Sequence, residues 1–178
     1  MTAIVEFNEI IDEVLLYYQN QLGTHYNKYR NHVYRVFNLA VILSNPNEEN
    51  YKAIAIAAAF HDLGIWTANT FDYLAPSVEL AGNYLIQNGL SDLEPLAMEL
   101  INNHHKLSTY KSNSIVEAFR KADLIDLSFG LARFGMETKQ LKKLNAQFPS
   151  LGFHRFILLQ GLKNTVKHPL NPLPMMKM

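Results

Sequence analysis

A chain of 178 residues, 48% hydrophobic and 18% charged, is long enough to bury a core and lies far from the disordered regime. Its 16 basic and 16 acidic residues leave no formal net charge, which removes any global field for nucleic acid or an anionic membrane, although a local basic patch stays open. The absence of cysteine excludes disulfides and thiolate metal sites, so histidine and carboxylate are the only strong ligands, a set that favours harder divalent ions or iron over a structural zinc cluster.

Residues 5–22 place Phe7, Ile10, Ile11, Val14, Leu15, Tyr18 and Leu22 at three-and-four spacing, which predicts an amphipathic packing helix ended by Gly23. A second helix is expected from His25 to Ser44, stopped by Asn45-Pro46-Asn47. Tyr29, Val33, Val36, Phe37, Ala40 and Leu43 form its buried stripe, with His32 along the edge. On its own such a histidine reads as a core residue bonded to a backbone carbonyl. Arg35 can reach a carboxylate near it in a structural role, while His25 and Arg30 read as exposed.

The third helix, from about Glu49 to Asp62, runs through Ala57-Ala58-Ala59-Phe60 into an adjacent His61 and Asp62, just before a turn at Gly64. A carboxylate at the end of so uncharged a run is costly unless a partner charge or a metal compensates it. The alternative is a histidine at the helix end beside an exposed Asp62. The alanines let neighbouring helices approach closely enough to share an ion. From Ile65 to Pro76 the helical pattern is lost in an aromatic-rich loop, where Asp72 and Tyr73 are candidates for a pocket wall or a plain lid on the core.

A helix over Ser77–Asn88 follows. Ser91-Asp92-Leu93-Glu94 then reads as a capping box opening a helix that ends at His104 and His105, with His104 continuing the buried side and His105 at its border. These two are either functional or a helix terminus where protonated histidine meets the dipole. Ser114-Ile115-Val116-Glu117 reads as a second capping box, opening a helix with Val116, Phe119 and Asp123 on one face. A buried Asp123 needs a cation, from a metal or from Lys121 or Arg120, and Asp126 one turn on could orient a ligand. After Gly135, a charged helix and an apolar one from about Gly152 to Lys167 are expected to pack on the core, ahead of an irregular tail over 169–178.

Taken in order, His32, His61-Asp62 and Asp123 resemble the H…HD…D pattern of the HD-domain superfamily of metal-dependent phosphohydrolases. His32-Val33-Tyr34-Arg35-Val36 resembles its H-x-x-R-V segment, and Lys121-Ala122-Asp123 with Asp126 its A-D-x-x-D. The resemblance implies that His32, His61, Asp62 and Asp123 hold one divalent ion, with Mn, Fe, Co, Zn and Mg all admitted and a second ion left open. Asp62 would also partner the metal-bound water. His104 would act beside it in catalysis, and His105, Lys106 and Tyr73 would meet the substrate.

The cyclic-dinucleotide branch (HD-GYP) departs from this chain. It has x-Gly-Lys after its HD pair where Leu63-Gly64-Ile65 stands, and Glu and G-Y-P after its two histidines where Lys106 to Tyr110 stand. Dinuclear members offer a histidine where Ser77 stands, so the second metal site is incomplete. Gly64, Phe71-Asp72 and Glu79-Leu80-Ala81-Gly82 also look like the cyanamide hydratase branch, whose reaction adds water to a nitrile-like carbon.

The expectation is therefore an all-α, compact, single-domain bundle of HD-domain type with a central metal site, spanning 1–178. Its motif-bearing core covers about 25–128, and its C-terminal helices about 136–168. The expected activity is metal-dependent hydrolysis of a small phosphate ester or nucleotide. A hydratase of the same superfamily and a non-catalytic metal-binding regulatory module are the alternatives. The expected partner is a small-molecule substrate, with no nucleic-acid polymer and no membrane, since no stretch reaches the roughly 20 apolar residues of a span. The N-terminus lacks a basic segment leading an apolar run, so a cytoplasmic location is expected, and oligomeric state is left open.

Overall fold

The computed structural model describes residues 3–176, and every regular element in that range is helical. In chain order these are α1 (Glu9–Tyr17), α2 (Gln19–Leu22), a 3-10 turn (Gly23–His25), α3 (Tyr26–Ser44), α4 (Glu48–Phe60), α5 (Gly64–Thr67) and α6 (Leu74–Gln87). A 3-10 turn (Ser91–Leu93), α7 (Glu94–Asn103), α8 (Ser114–Leu127), α9 (Thr138–Gln147) and α10 (Phe153–Lys167) complete the chain. Among the described residues no helix is long and apolar enough to cross a membrane.

The centre is α4. Every residue from Ala53 to Phe60 is fully buried, as a helix apolar on all sides must be. Its alanines present little bulk, so α1, α3, α6 and α7 all pack around it, and α3 packs in turn along α8. The arrangement delivers four points to one place: the middle of α3, the turn after α4, the turn after α7, and the middle of α8.

Several local expectations are corrected. The first helix does not run unbroken over 5–22. Asn8 caps α1 by accepting a hydrogen bond from Ile11 N, Val5 N bonds outside the helix to Asn38 Oδ1 (2.8 Å), and the helix breaks at Tyr18. Neither expected capping box forms. Ser91 starts a 3-10 turn, and α7 begins at Glu94 with Pro95 in its first turn. At α8 the cap is Asn113, whose side chain accepts from Ile115 N (2.9 Å), because Glu117 is drawn to Arg120 instead. A box that the reading did not anticipate, Glu137 with Gln140, opens α9.

The segment over 65–76 is also more ordered than expected, with α5 at its start and α6 beginning at Leu74. Gly64 makes this tight return, because a Cβ there would lie 2.5 Å from the Tyr73 carbonyl oxygen. Ser77 Oγ accepts the Gly64 N–H at 3.0 Å, so Ser77 fastens the turn.

The largest departure is α10. Of its residues only Phe153 is fully buried, while Leu158, Leu159, Leu162 and Val166 are exposed. The helix touches the bundle through its first turn and through half-buried Phe156 and Ile157. The tail holds no regular element through residue 176, as expected, yet it places Met175 in a small apolar cluster with Ile65, Tyr73 and Leu74.

Candidate metal centre

His32 enters from α3 and is fully buried, not at the edge of the stripe. Its ring stacks on Phe153 at 4.0 Å between centroids and 16° between planes. Its Nδ1 lies 2.7 Å from Asp126 Oδ2. Asp126 is held in turn by both sides of the Arg35 guanidinium, Nε to Oδ1 at 2.5 Å and NH2 to Oδ2 at 2.9 Å, while Arg35 NH1 donates to the Phe148 carbonyl. The pattern of apolar residues on α3 fixes which way His32 points, and Asp126 fixes its tautomer.

Helix α4 ends at Phe60, two residues before the expected end, but His61 N still donates to the Ala57 carbonyl at 2.8 Å and its backbone keeps helical angles (φ −52°, ψ −38°). His61 therefore continues inward, with its Nδ1 on the Ala58 carbonyl at 2.8 Å. His104 repeats the device after α7, with Nδ1 on the Ile101 carbonyl at 2.6 Å. All three histidines thus donate an Nδ1–H outward and turn an Nε2 lone pair to the centre, as metal-bearing imidazoles do.

Asp62 and Asp123 complete the group. Asp62 Oδ2 lies 3.4 Å from His32 Nε2 and 3.6 Å from His61 Nε2, and its Oδ1 lies 3.4 Å from His104 Nε2. Asp123 Oδ1 lies 3.7 Å from His32 Nε2 and 3.9 Å from His61 Nε2. Asp62 is not at an exposed helix end, and Lys121 and Arg120 bind Glu117 and not Asp123.

Three buried atoms of this group have no hydrogen-bond partner among the described residues: Asp62 Oδ1, Asp123 Oδ1 and His104 Nε2. The His32 and His61 Nε2 atoms face each other at 2.9 Å. Two lone pairs at that separation repel unless a proton or a cation lies between them. Two nitrogens each about 2.1 Å from one ion, at right angles, would be about 3 Å apart. Ligand atoms of His32, His61 and Asp123, of His61, Asp62 and His104, and of His104, His105 and Asp123 all lie within 4.8 Å of one another in each trio. Donor type, unpaired atoms and spacing all fit a divalent ion.

The protonation behaviour without an ion points the same way. Burial alone would lower the His32 pKa, but the hydrogen bonds it donates to Asp126 and Asp62 outweigh it and raise it to about 9. Burial, with the charges of His104 and His32, drives His61 down to about 3. For Asp123, burial pushes the carboxyl up to about 7 despite the nearby histidines, and Asp62 and Asp126 add to the rise. Burial opposes the charged form of Asp62 too, yet the surrounding histidines hold it well below the usual range. Protons here must do the work of a cation.

His105 differs from the other three histidines. Its Nε2 is 2.5 Å from the Tyr73 hydroxyl and its Nδ1 is 3.4 Å from Asp123 Oδ2, so both ring nitrogens are already engaged. At 12% side-chain exposure it is the most accessible member of the group. Tyr73 is buried, and burial with the two aspartates raises its pKa well above the ordinary value, so it keeps its proton. Lys106 is half-buried next to them and its carbonyl accepts from Arg120 NH1. Asp72 is exposed, with its backbone N–H on Thr70 Oγ1, and takes no part in this wall.

Other residues of the surrounding wall carried no signal in sequence. His154 Nε2 meets the Asp126 carbonyl at 2.9 Å and its Nδ1 meets Ser150 Oγ at 2.8 Å. With Phe153 it closes the centre from α10, and a Phe-His pair after a glycine is too common to have been singled out. His25 is half-buried and accepts from Trp66 Nε1 at 2.9 Å, and Arg30 pairs with Asp12, so neither is simply exposed. Comparison of the chain with protein-family models, with curated protein sequences and with solved structures finds no match.

Proposed function

We propose that the chain is a metal-dependent phosphohydrolase of HD-domain type, acting on a small phosphate ester or nucleotide. The observation that carries this reading is the inward set of unpaired donors, Asp62 Oδ1, Asp123 Oδ1 and His104 Nε2, around the facing nitrogens of His32 and His61. Evolution can replace a buried charged cage by apolar packing at no loss of stability, so an uncompensated one supports a working site.

His32, His61, Asp62 and Asp123 would hold a divalent ion, and His104 stands ready as a further ligand. Such an ion supplies Lewis-acid polarisation of a phosphoryl oxygen and acidifies water at neutral pH. Asp62 has one oxygen toward His32 and His61 and the other toward His104, so one oxygen would hold the ion while the other would be free to accept a proton from water. Asp126 and Arg35 keep the His32 ring in position. Tyr73 orients His105 at the accessible rim, where substrate would enter.

One observation favours the hydratase reading. Arg35 and Arg120, both buried, are committed to carboxylates, which suits a small uncharged substrate such as a nitrile. The test is elemental analysis of protein purified without an affinity tag, followed by a panel of nucleotides, phosphate esters, cyanamide and nitriles. About one divalent ion per chain, lost in Asp123→Ala, together with release of phosphate from a member of the panel, is the expected result. No ion after incubation with Mn²⁺ or Fe²⁺ overturns it, and turnover of cyanamide alone selects the hydratase.

A further inference from the structure

One cavity outside the metal centre has a single chemical character. It measures about 220 Å³ and lies between the segment after α5 and the last turns of α10. Its polar lining comprises Asn69, Thr70, Gln160, Lys163, Asn164, Lys167 and His168, and among the described residues no carboxylate borders it. Lys163 and Lys167 are exposed, stand four residues apart on one face of α10, and make no ion pair or hydrogen bond among the described residues. Like charges at that spacing repel. A single lysine in the last turn is explained by the helix dipole. A second one turned to the same cavity, with a histidine and neutral donors around it, is not.

We propose that this cavity binds a phosphate-type anion of two or more negative charges. Two ammonium groups match two negative charges, whereas a carboxylate would leave one lysine uncompensated. The amides of Asn69 and Gln160 and the Thr70 hydroxyl add donors of the kind that orient phosphate oxygens. Two aromatic rings link the cavity to the rim of the metal centre. Phe71 in its wall meets Tyr73 edge-on at 5.9 Å between centroids, and the Tyr73 hydroxyl touches His105. Ile65, also in the wall, follows Asp62 by three residues. The anion is either the distal phosphate of the substrate or a free phosphate-type ligand. Only the first of these sources rests on the phosphohydrolase reading.

The test uses the full chain treated with chelator, so that no metal can bind the probe, and titrates it with inorganic pyrophosphate by calorimetry and thermal melting. Saturable binding with a raised melting temperature is expected, and it persists in Asp62→Asn. Lys163→Gln/Lys167→Gln should weaken binding at least about tenfold, while Lys139→Gln/Lys143→Gln, which removes the same charge from α9, should leave it unchanged. Because both pairs are exposed, the variants should fold as the parent does. No binding in the parent, unchanged binding in the α10 pair, or equal loss in the α9 pair overturns the proposal. Competition between pyrophosphate and substrate on the metal-loaded protein, with KM raised and kcat kept in the α10 pair, assigns the site to the substrate. Lack of competition assigns it to a free ligand. Failure of the hydrolysis panel leaves the pyrophosphate result standing, so the two readings fail separately.

Discussion

Helix α8 buries three carboxylates, and its two kinds of surroundings teach different things. Glu117 is gripped by Arg120, Nε to Oε2 at 2.7 Å and NH2 to Oε1 at 2.8 Å, and also accepts from Tyr110 N. Asp126 has the same two-pronged grip from Arg35 plus the His32 ring. Between them, Asp123 pairs with no arginine or lysine among the described residues, and its Oδ1 makes no hydrogen bond with any of them. Where the fold needs a carboxylate for its own sake, it brings an arginine to it. Asp123, like Asp62, is instead left facing histidines that turn lone pairs toward it. That difference separates charges that build the protein from charges reserved for something it binds.

The comparison breaks most visibly at the reserved carboxylates. Asp62→Asn and Asp123→Asn should each lose the bound ion and lower turnover by about 10³-fold or more, since the ion contributes several kcal/mol at the transition state. Asp123→Asn should not destabilise the metal-free protein, because burial and the charges of Asp62 and Asp126 already work against its ionised form, whereas Asp62→Asn should destabilise it, because the histidines favour that carboxylate. A metal-free Asp123→Asn melting well below the parent would show that Asp123 is structural after all.

Arg35→Met is the opposite experiment. It leaves Asp126 buried without its cation and should cost about 3–5 kcal/mol of stability in urea unfolding, metal or no metal. By loosening the His32 ring it should also weaken metal affinity by roughly 10–100-fold. Gly64→Ala comes next, at about 1–3 kcal/mol, since the new methyl group meets the Tyr73 carbonyl and Ser77 Oγ and the turn must open. An unfolding curve that matches the parent would mean that the return from α5 to α6 is softer than its contacts imply.

How much of this was legible in sequence follows from the range of the contacts. His61 and Asp62 stood out because an adjacent acid and imidazole end a run of alanines, and local spacing carried His104 and Asp123 to the inner faces of their helices but His32 only to the edge of its stripe. The group's outer wall was not legible. Phe153 stacks on a ring more than a hundred residues earlier, and nothing local marks that pairing. Ser114 was read as a cap because Glu117 stands three residues on, yet Glu117 has a stronger partner in Arg120, and Asn113 takes the cap. The apolar helix from about Gly152 to Lys167 was expected to pack on the core, yet Leu158, Leu159, Leu162 and Val166 are exposed, because composition records that a helix is apolar and not which side meets a neighbour.

The Glu117–Arg120 pair provides the smallest effect and a check on the structural side of the comparison. The hydrogen bonds from Arg120, set against a smaller opposing effect of burial, hold the Glu117 carboxyl at about 2, below its ordinary 4.5. A depressed carboxylate contributes stability that is fully present above the unfolded-state value and is lost as pH falls through the folded one. The stability difference between the parent and Glu117→Gln should therefore be constant above pH 4.5 and shrink from there down to about pH 2. Its plateau should be about 1–2 kcal/mol, because Glu117→Gln keeps an acceptor oxygen for Arg120 and loses only the charge of the bond. The measurement is urea unfolding of both proteins, metal-free, across that range. Glu117 lies well along α8 from the metal ligands, so the curve should not change when metal is restored. A metal-dependent difference would mean that Glu117 and Asp123 are not separate in kind, and that the helix couples its structural charge to its reserved one.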